Sequence, residues 1–209
     1  MGEQLLEAAL KALADKLEET GQDVNVQDLL NMVTKHACAA AVAAMASGWV
    51  PGAAGAIVSG VGTAFVISLY VRLGKALGVK LSKGLIRAVA SVVAAEVASY
   101  LAVSIVGVTA LSLFPGLGSL GASAISAISN FAFVYISALI YVKMLDMLMG
   151  GNGSIDHVDD EAVKAAAAAA AASTDMKKAM AEARRGFKEA KQSGEMDRAN
   201  VDAEPMDDV

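Results

Sequence analysis

Phe114-Pro115-Gly116-Leu117-Gly118 interrupts a stretch running from Val97 to Val142 that carries no charged side chain. A second uncharged stretch, His36 to Tyr70, breaks in the same way at Trp49-Val50-Pro51-Gly52. Proline lacks the amide proton that a helix interior needs, and it pushes the preceding residue away from helical geometry. Each Pro-Gly therefore ends one helix and opens another. The expectation is an all-α chain in which two Pro-Gly-broken apolar helical hairpins turn at Pro51, Gly52 and at Pro115, Gly116.

Both stretches exceed the apolar stripe of an ordinary soluble helix, and a membrane crossing needs about 20 apolar residues. Ile86 to Phe114 and Ser119 to Val142 are long enough to span. Pro51 to Val71 is marginal and Ala37 to Val50 is short, so the first hairpin spans or is re-entrant. Arg72, Lys75, Lys80, Lys83 and Arg87 lie between the hairpins with no acidic residue among them, and Lys35 and Lys143 stand at the outer ends. With both turns on the far side these cations fall together, which the positive-inside rule makes the cytoplasmic side. The lipid bilayer is thus the first expected partner, with both termini cytoplasmic.

The two hairpins resemble each other. Ile67-Ser68-Leu69-Tyr70-Val71-Arg72 follows the first turn as Ala138-Leu139-Ile140-Tyr141-Val142-Lys143 follows the second, a weak tandem repeat offset by seven residues. Gly52, Gly55, Gly60 and Gly62, then Gly116, Gly118 and Gly121, sit among alanine and serine. Small residues let helix backbones approach closely in lipid. Ser119, Ser123, Ser126 and Ser129 continue that face at three- and four-residue spacing, so Gly118, Gly121 and Ser126 are expected at helix contacts, including those of a homo-oligomer.

Bulk composition fits. Of 209 residues 56% are hydrophobic and 5% aromatic, which favours helix over sheet. The net charge of −5 is unevenly spread: residues 36–149 hold two acids against six bases, and those after Gly150 hold thirteen against eight. Met1 to Gln27 is acidic without an apolar core, so no secretory signal is read there, and the start lacks the myristoylation pattern. Residues 1–24 read as an amphipathic helix with Leu6, Leu10, Leu13 and Leu17 on one face, docking on this chain or on a partner. Asn25 caps a second helix from near Val26. Residues 25–149 form the hairpin domain and 150–158 a flexible linker. Residues 159–192 read as an alanine-rich helix, solvated or transiently docked, and 193–209 as an acidic disordered tail.

Chemistry-bearing motifs are sparse. Gly116-Leu117-Gly118-Ser119-Leu120-Gly121 matches the dinucleotide fingerprint, but the βαβ context and the acidic residue about 20 positions on are missing, so no cofactor is expected. His36 and Cys38 lack further ligands at metal spacing, and Cys38 reads as a small apolar core residue. Paired carboxylates and a Ser-His-Asp set are likewise missing, so a non-enzymatic protein is expected, and nucleic acid is not an expected partner. Glu96 stands nine residues beyond Arg87, roughly 14 Å along the axis and near mid-bilayer in a spanning helix. A lone carboxylate there is costly, so it is expected to be protonated and hydrogen-bonded to Asn130 or Ser129, or to handle protons or ions.

Residues 35–145 resemble the bacterial membrane domain of unknown function found in YcjF-type proteins, often behind a small-GTPase domain. His36-Ala37, Pro51-Gly52, the connector from Tyr70 to Val79 with Gly78, and Phe114-Pro115-Gly116-Leu117-Gly118-Ser119 with the small-residue helix reaching Tyr141 carry the likeness. It covers about half of the chain, and this sequence has no GTPase domain. The resemblance implies the bacterial inner membrane and a cytosolic GTPase or other protein as partner, without a chemistry. Three functions stay open: a scaffold, anchor or assembly element in the membrane; a soluble helical bundle that inserts conditionally or forms pores; and a small ion or proton channel or transporter using Glu96.

Overall fold

The computed structural model describes residues 4–46, 54–112, 118–150 and 159–202, with side chains for 4–46, 62–101, 124–150 and 159–199. Eight helices occupy the described residues: α1 (Leu5–Glu19), α2 (Val26–Ala46), α3 (Ala54–Ala76), α4 (Lys83–Ser112), α5 (Gly118–Met149), α6 (Asp160–Ala172), α7 (Met176–Gln192) and α8 (Glu195–Asp202). The turns Pro51, Gly52, Pro115 and Gly116 lie outside the described residues, as does most of the 150–158 linker.

Local chemistry sets the boundaries. Leu6, Leu10, Leu13 and Leu17 form the buried stripe of α1. That helix stops where the Gly21 amide donates to the Glu18 carbonyl and the Gln22 amide to the Leu17 carbonyl, with Gly21 at φ +84°. This is the paired bonding that satisfies the last carbonyls of a helix when glycine adopts the left-handed region. α3 ends alike: Gly78 has φ +66° and the Val79 amide donates to the Gly74 carbonyl at 2.8 Å. The Asn25 side chain accepts from the amides of Gln27 and Asp28 and starts α2. Ser82 Oγ accepts from the Leu85 amide at the start of α4.

α5 is the axis of the fold. It is apolar all round, and from Ser129 to Val142 every residue is buried, with α1, α2, α3, α4, α6 and α7 packed about it. A helix apolar on every face needs either lipid or protein around it. Here protein surrounds its C-terminal half. Amphipathic α1 supplies leucines, α6 supplies Val163, Ala167, Ala170 and Ala171, and α7 brings Phe187 edge-on to Phe131 at 5.6 Å.

The alanine-rich segment is therefore docked rather than solvated, and it is two helices. Ser173, Thr174 and Asp175 separate them, because the Asp175 carboxylate caps the Lys178 amide at 3.0 Å and starts α7 anew. The acidic tail is also partly ordered. α8 continues after Gly194, with φ +74°, and packs Met196 (7% exposed) into the bundle core beside α2.

Among the described residues, three helices are long and apolar enough to cross a membrane: Val26–Ala46, Lys83–Leu101 and Ala124–Met149. Their surroundings differ. Burial reaches 83% in the α5 stretch and only 39% in the α4 stretch. Protein thus already solvates much of α5, which length and composition alone do not reveal.

Candidate functional site

Two features stand out: a graded surface along the hairpins, and a charged cavity beside them. Burial falls towards the Pro-Gly ends of α2 and α5. On α5, Ala124 is exposed and Ile125, Ser126 and Ile128 are half-buried, before full burial begins at Ser129. On α2, Met45 is 39% exposed and Ala46 is exposed; on α3, Ala64 is exposed. On α4 the outer face carries Arg87, Ser91, Ala95, Glu96 and Ser99. The amphipathic helices clasp α5 from Phe131, which meets Phe187, to Asp146, which meets Lys16 at 2.6 Å, with Lys143 held by the end of α6.

The basic residues divide. Arg72, Lys75, Lys80, Lys83 and Arg87 are exposed, as cations at a membrane surface must be. Lys143 has another job. Its ammonium donates to the Ser173 carbonyl at 3.0 Å, to Ser173 Oγ at 3.1 Å and to Thr174 Oγ1 at 3.2 Å. A cation there complements the carbonyl end of α6.

The expected Glu96 pairing is not formed. Glu96 faces outward on α4, whereas Asn130 is fully buried and donates through Nδ2 to the Ser126 carbonyl at 3.0 Å. Ser129 Oγ donates to the Ile125 carbonyl instead. Both side chains find acceptors one turn back on their own helix, an option always open to short polar residues. Gly118 and Gly121 are helical, and Ser126 is half-buried. Close approach is clearest at Gly62: a Cβ there would lie 2.6 Å from Phe133 Cδ1 and 3.3 Å from Asn130 Oδ1, so glycine is what lets α3 meet α5.

The cavity, about 540 Å³, lies between α2, α3 and α8. α2 contributes Asp28, Met32, Lys35, His36 and Cys38. α3 contributes Phe65, Ser68 and Arg72, and α8 closes one side with Glu195 and Arg198. His36 Nδ1 donates to the Met32 carbonyl at 2.8 Å, since a carbonyl can only accept. Arg198 is held by its own turn, with Nη2 donating to the Ser193 carbonyl at 3.0 Å. Neither Lys35 nor Arg72 is ion-paired to a described carboxylate. The volume falls in the usual range for small-ligand sites.

Sequence reasoning missed this cavity. It singled out Arg72 for the basic connector, read Cys38 as a small apolar core residue and found too few ligands for a metal at His36; among the described residues no cluster suited to a metal ion occurs. The contribution of α8 had no signal, because that segment read as disordered. Compared with known proteins, the chain matches no family model, no curated protein and no solved structure.

Proposed function

We propose that this protein is a non-enzymatic membrane anchor or assembly element whose two hairpins enter the bilayer by their Pro-Gly ends. α1, α6, α7 and α8 form a collar on the cytoplasmic side. The observation carrying this reading is that α2 and α5 open towards their Pro-Gly ends, where Met45, Ala46 and Ala124 are exposed, whereas α1, α6 and α7 enclose α5 from Phe131 to Asp146. Water would bathe the collar, and lipid would cover Ala64, Met45 and Ile128.

The gradient also sets a depth. Beyond the enclosed part of α5, Gly118 to Ile128 measures roughly 16 Å, and Val97 to Ser112 of α4 roughly 24 Å. A hydrocarbon core is about 30 Å thick. Hairpins of this reach penetrate past one leaflet, and Glu96 then sits near the cytoplasmic interface, where a carboxylate needs no buried partner. That placement removes the main support for a Glu96-based channel. The basic connector, Arg72 to Arg87, stays on the side of both termini, in keeping with a bacterial inner-membrane location.

Small residues on the hairpins suit assembly with further copies, and the collar suits a cytosolic protein. A GTPase is the partner class that the family resemblance implies. The second reading, a soluble bundle that inserts on demand, is favoured by the enclosure of Ser129 to Val142 in protein. Detergent-free fractionation with carbonate washing separates the two: an anchor remains with membranes, and a soluble bundle is recovered in the supernatant, which would overturn the proposal.

A further inference from the structure

We propose that the cavity between α2, α3 and α8 binds a phosphate-bearing amphiphile, with its phosphate between Lys35 and Arg72 and its apolar portion towards Phe65. Phe65 and Arg72 lie two turns apart on α3, roughly 10 Å along the axis, so the α3 wall of the cavity passes from an aromatic ring through Ser68 to a guanidinium. Phe65 adjoins Ala64, the exposed residue at the edge of the surface assigned to lipid. Arg72 belongs to the basic connector. The cavity thus runs along the direction in which an anionic phospholipid would place its chains and headgroup.

Charge supports the same occupant. Lys35, Arg72 and Arg198 face two acids, Asp28 and Glu195. With Lys35 and Arg72 unpaired, two cations are available to one anion, and Arg forms paired hydrogen bonds to phosphate oxygens. Basic pockets between membrane helices on the cytoplasmic side recur as headgroup sites for this physical reason. α8 brings in Glu195, whose carboxylate opposes the incoming anion. The opposing sign gives a control that general loss of folding cannot imitate.

A membrane phospholipid as the source rests on the membrane reading above; the phosphate chemistry rests on the cavity alone. The full chain is titrated with a short-chain, water-soluble phosphatidylglycerol below its micelle concentration, with the matching phosphatidylcholine, and with inorganic phosphate, followed by native mass spectrometry. The phosphatidylglycerol is expected to bind best. Lys35→Gln with Arg72→Gln should weaken it at least about tenfold, the loss expected from one charge-assisted hydrogen bond. Glu195→Gln should tighten it. Phosphate binding as tightly as the lipid would keep the phosphate site and overturn the amphiphile. No binding of any probe, or affinity untouched by the double substitution, overturns the site itself. Flotation with phosphatidylglycerol vesicles keeps the two readings apart. A chain that binds the soluble lipid yet stays off vesicles sinks the membrane reading and leaves the cavity, and one that floats but binds no probe does the reverse.

Discussion

Tyr70 and Tyr141 stack face to face, with ring centroids 4.1 Å apart and planes 13° apart, both fully buried where α3 meets α5. These are the equivalent tyrosines of the two hairpins, each followed by Val and then a cation. The repeat in sequence thus becomes a contact in space. The two hydroxyls differ: Tyr70 donates to the Ser137 carbonyl at 2.9 Å, and the Tyr141 hydroxyl is buried without a partner among the described residues.

This asymmetry predicts unequal substitutions. Tyr70→Phe leaves the Ser137 carbonyl short of a donor and should cost about 1 kcal/mol. Tyr141→Phe removes only an unsatisfied group, so it should be neutral or mildly stabilising. Denaturant titration of both variants decides it, and a larger loss for Tyr141→Phe would refute the assignment.

Glu182 ties the two ends of the chain together. It is 8% exposed on α7, and its two carboxylate oxygens accept from the Leu5 amide at 2.9 and 3.0 Å. A carboxylate at that point satisfies a free amide of the first turn of α1 and meets the positive end of its dipole. Glu182→Ala should cost about 1–2 kcal/mol, as loss of a helix cap does. Hydrogen exchange should quicken in α1 first. Equal acceleration throughout the bundle would mean that the contact is not local.

How far the sequence foretold this arrangement depends on the range of each interaction. The leucine stripe of α1, the Asn25 cap and the basic connector are set within a few residues, and all were legible. The Ser173 to Asp175 break was not: residues 159–192 read as one helix, because the alanine run on one side and the charged helix on the other both favour helix. Nor were Glu182 on Leu5 and the cavity. Lys35 and Arg72 come from successive helices and Arg198 from α8, more than a hundred residues on, and only packing brings them to one cavity. Apolar length misled in one respect, since α5 meets the demand for a nonpolar environment largely with protein.

Gly62 tests the packing of α3 on α5. Gly62→Ala would force a methyl to 2.6 Å from Phe133 Cδ1, against a ring held at 0% exposure. Overpacking of this kind costs about 1–3 kcal/mol. Gly84→Ala is the control, as its Cβ would meet only Ser82 Oγ at 4.0 Å. Thermal unfolding should separate the two, and a Gly62→Ala variant as stable as the control would mean that α3 and α5 pack less closely than described.

Ala64 and Ala76 put the membrane reading to its sharpest test. Both are exposed on α3, twelve positions or roughly 18 Å apart along the axis, so the chain alone leaves both open to solvent. Only a bilayer would tell them apart. In a Cys38→Ala background, Ala76→Cys in reconstituted vesicles should react with a membrane-impermeant maleimide applied to the collar side. Ala64→Cys should react only after detergent is added, because lipid covers the half of α3 nearer Pro51. Equal labelling of both before detergent would leave a soluble bundle as the better account, since protein alone shields neither position.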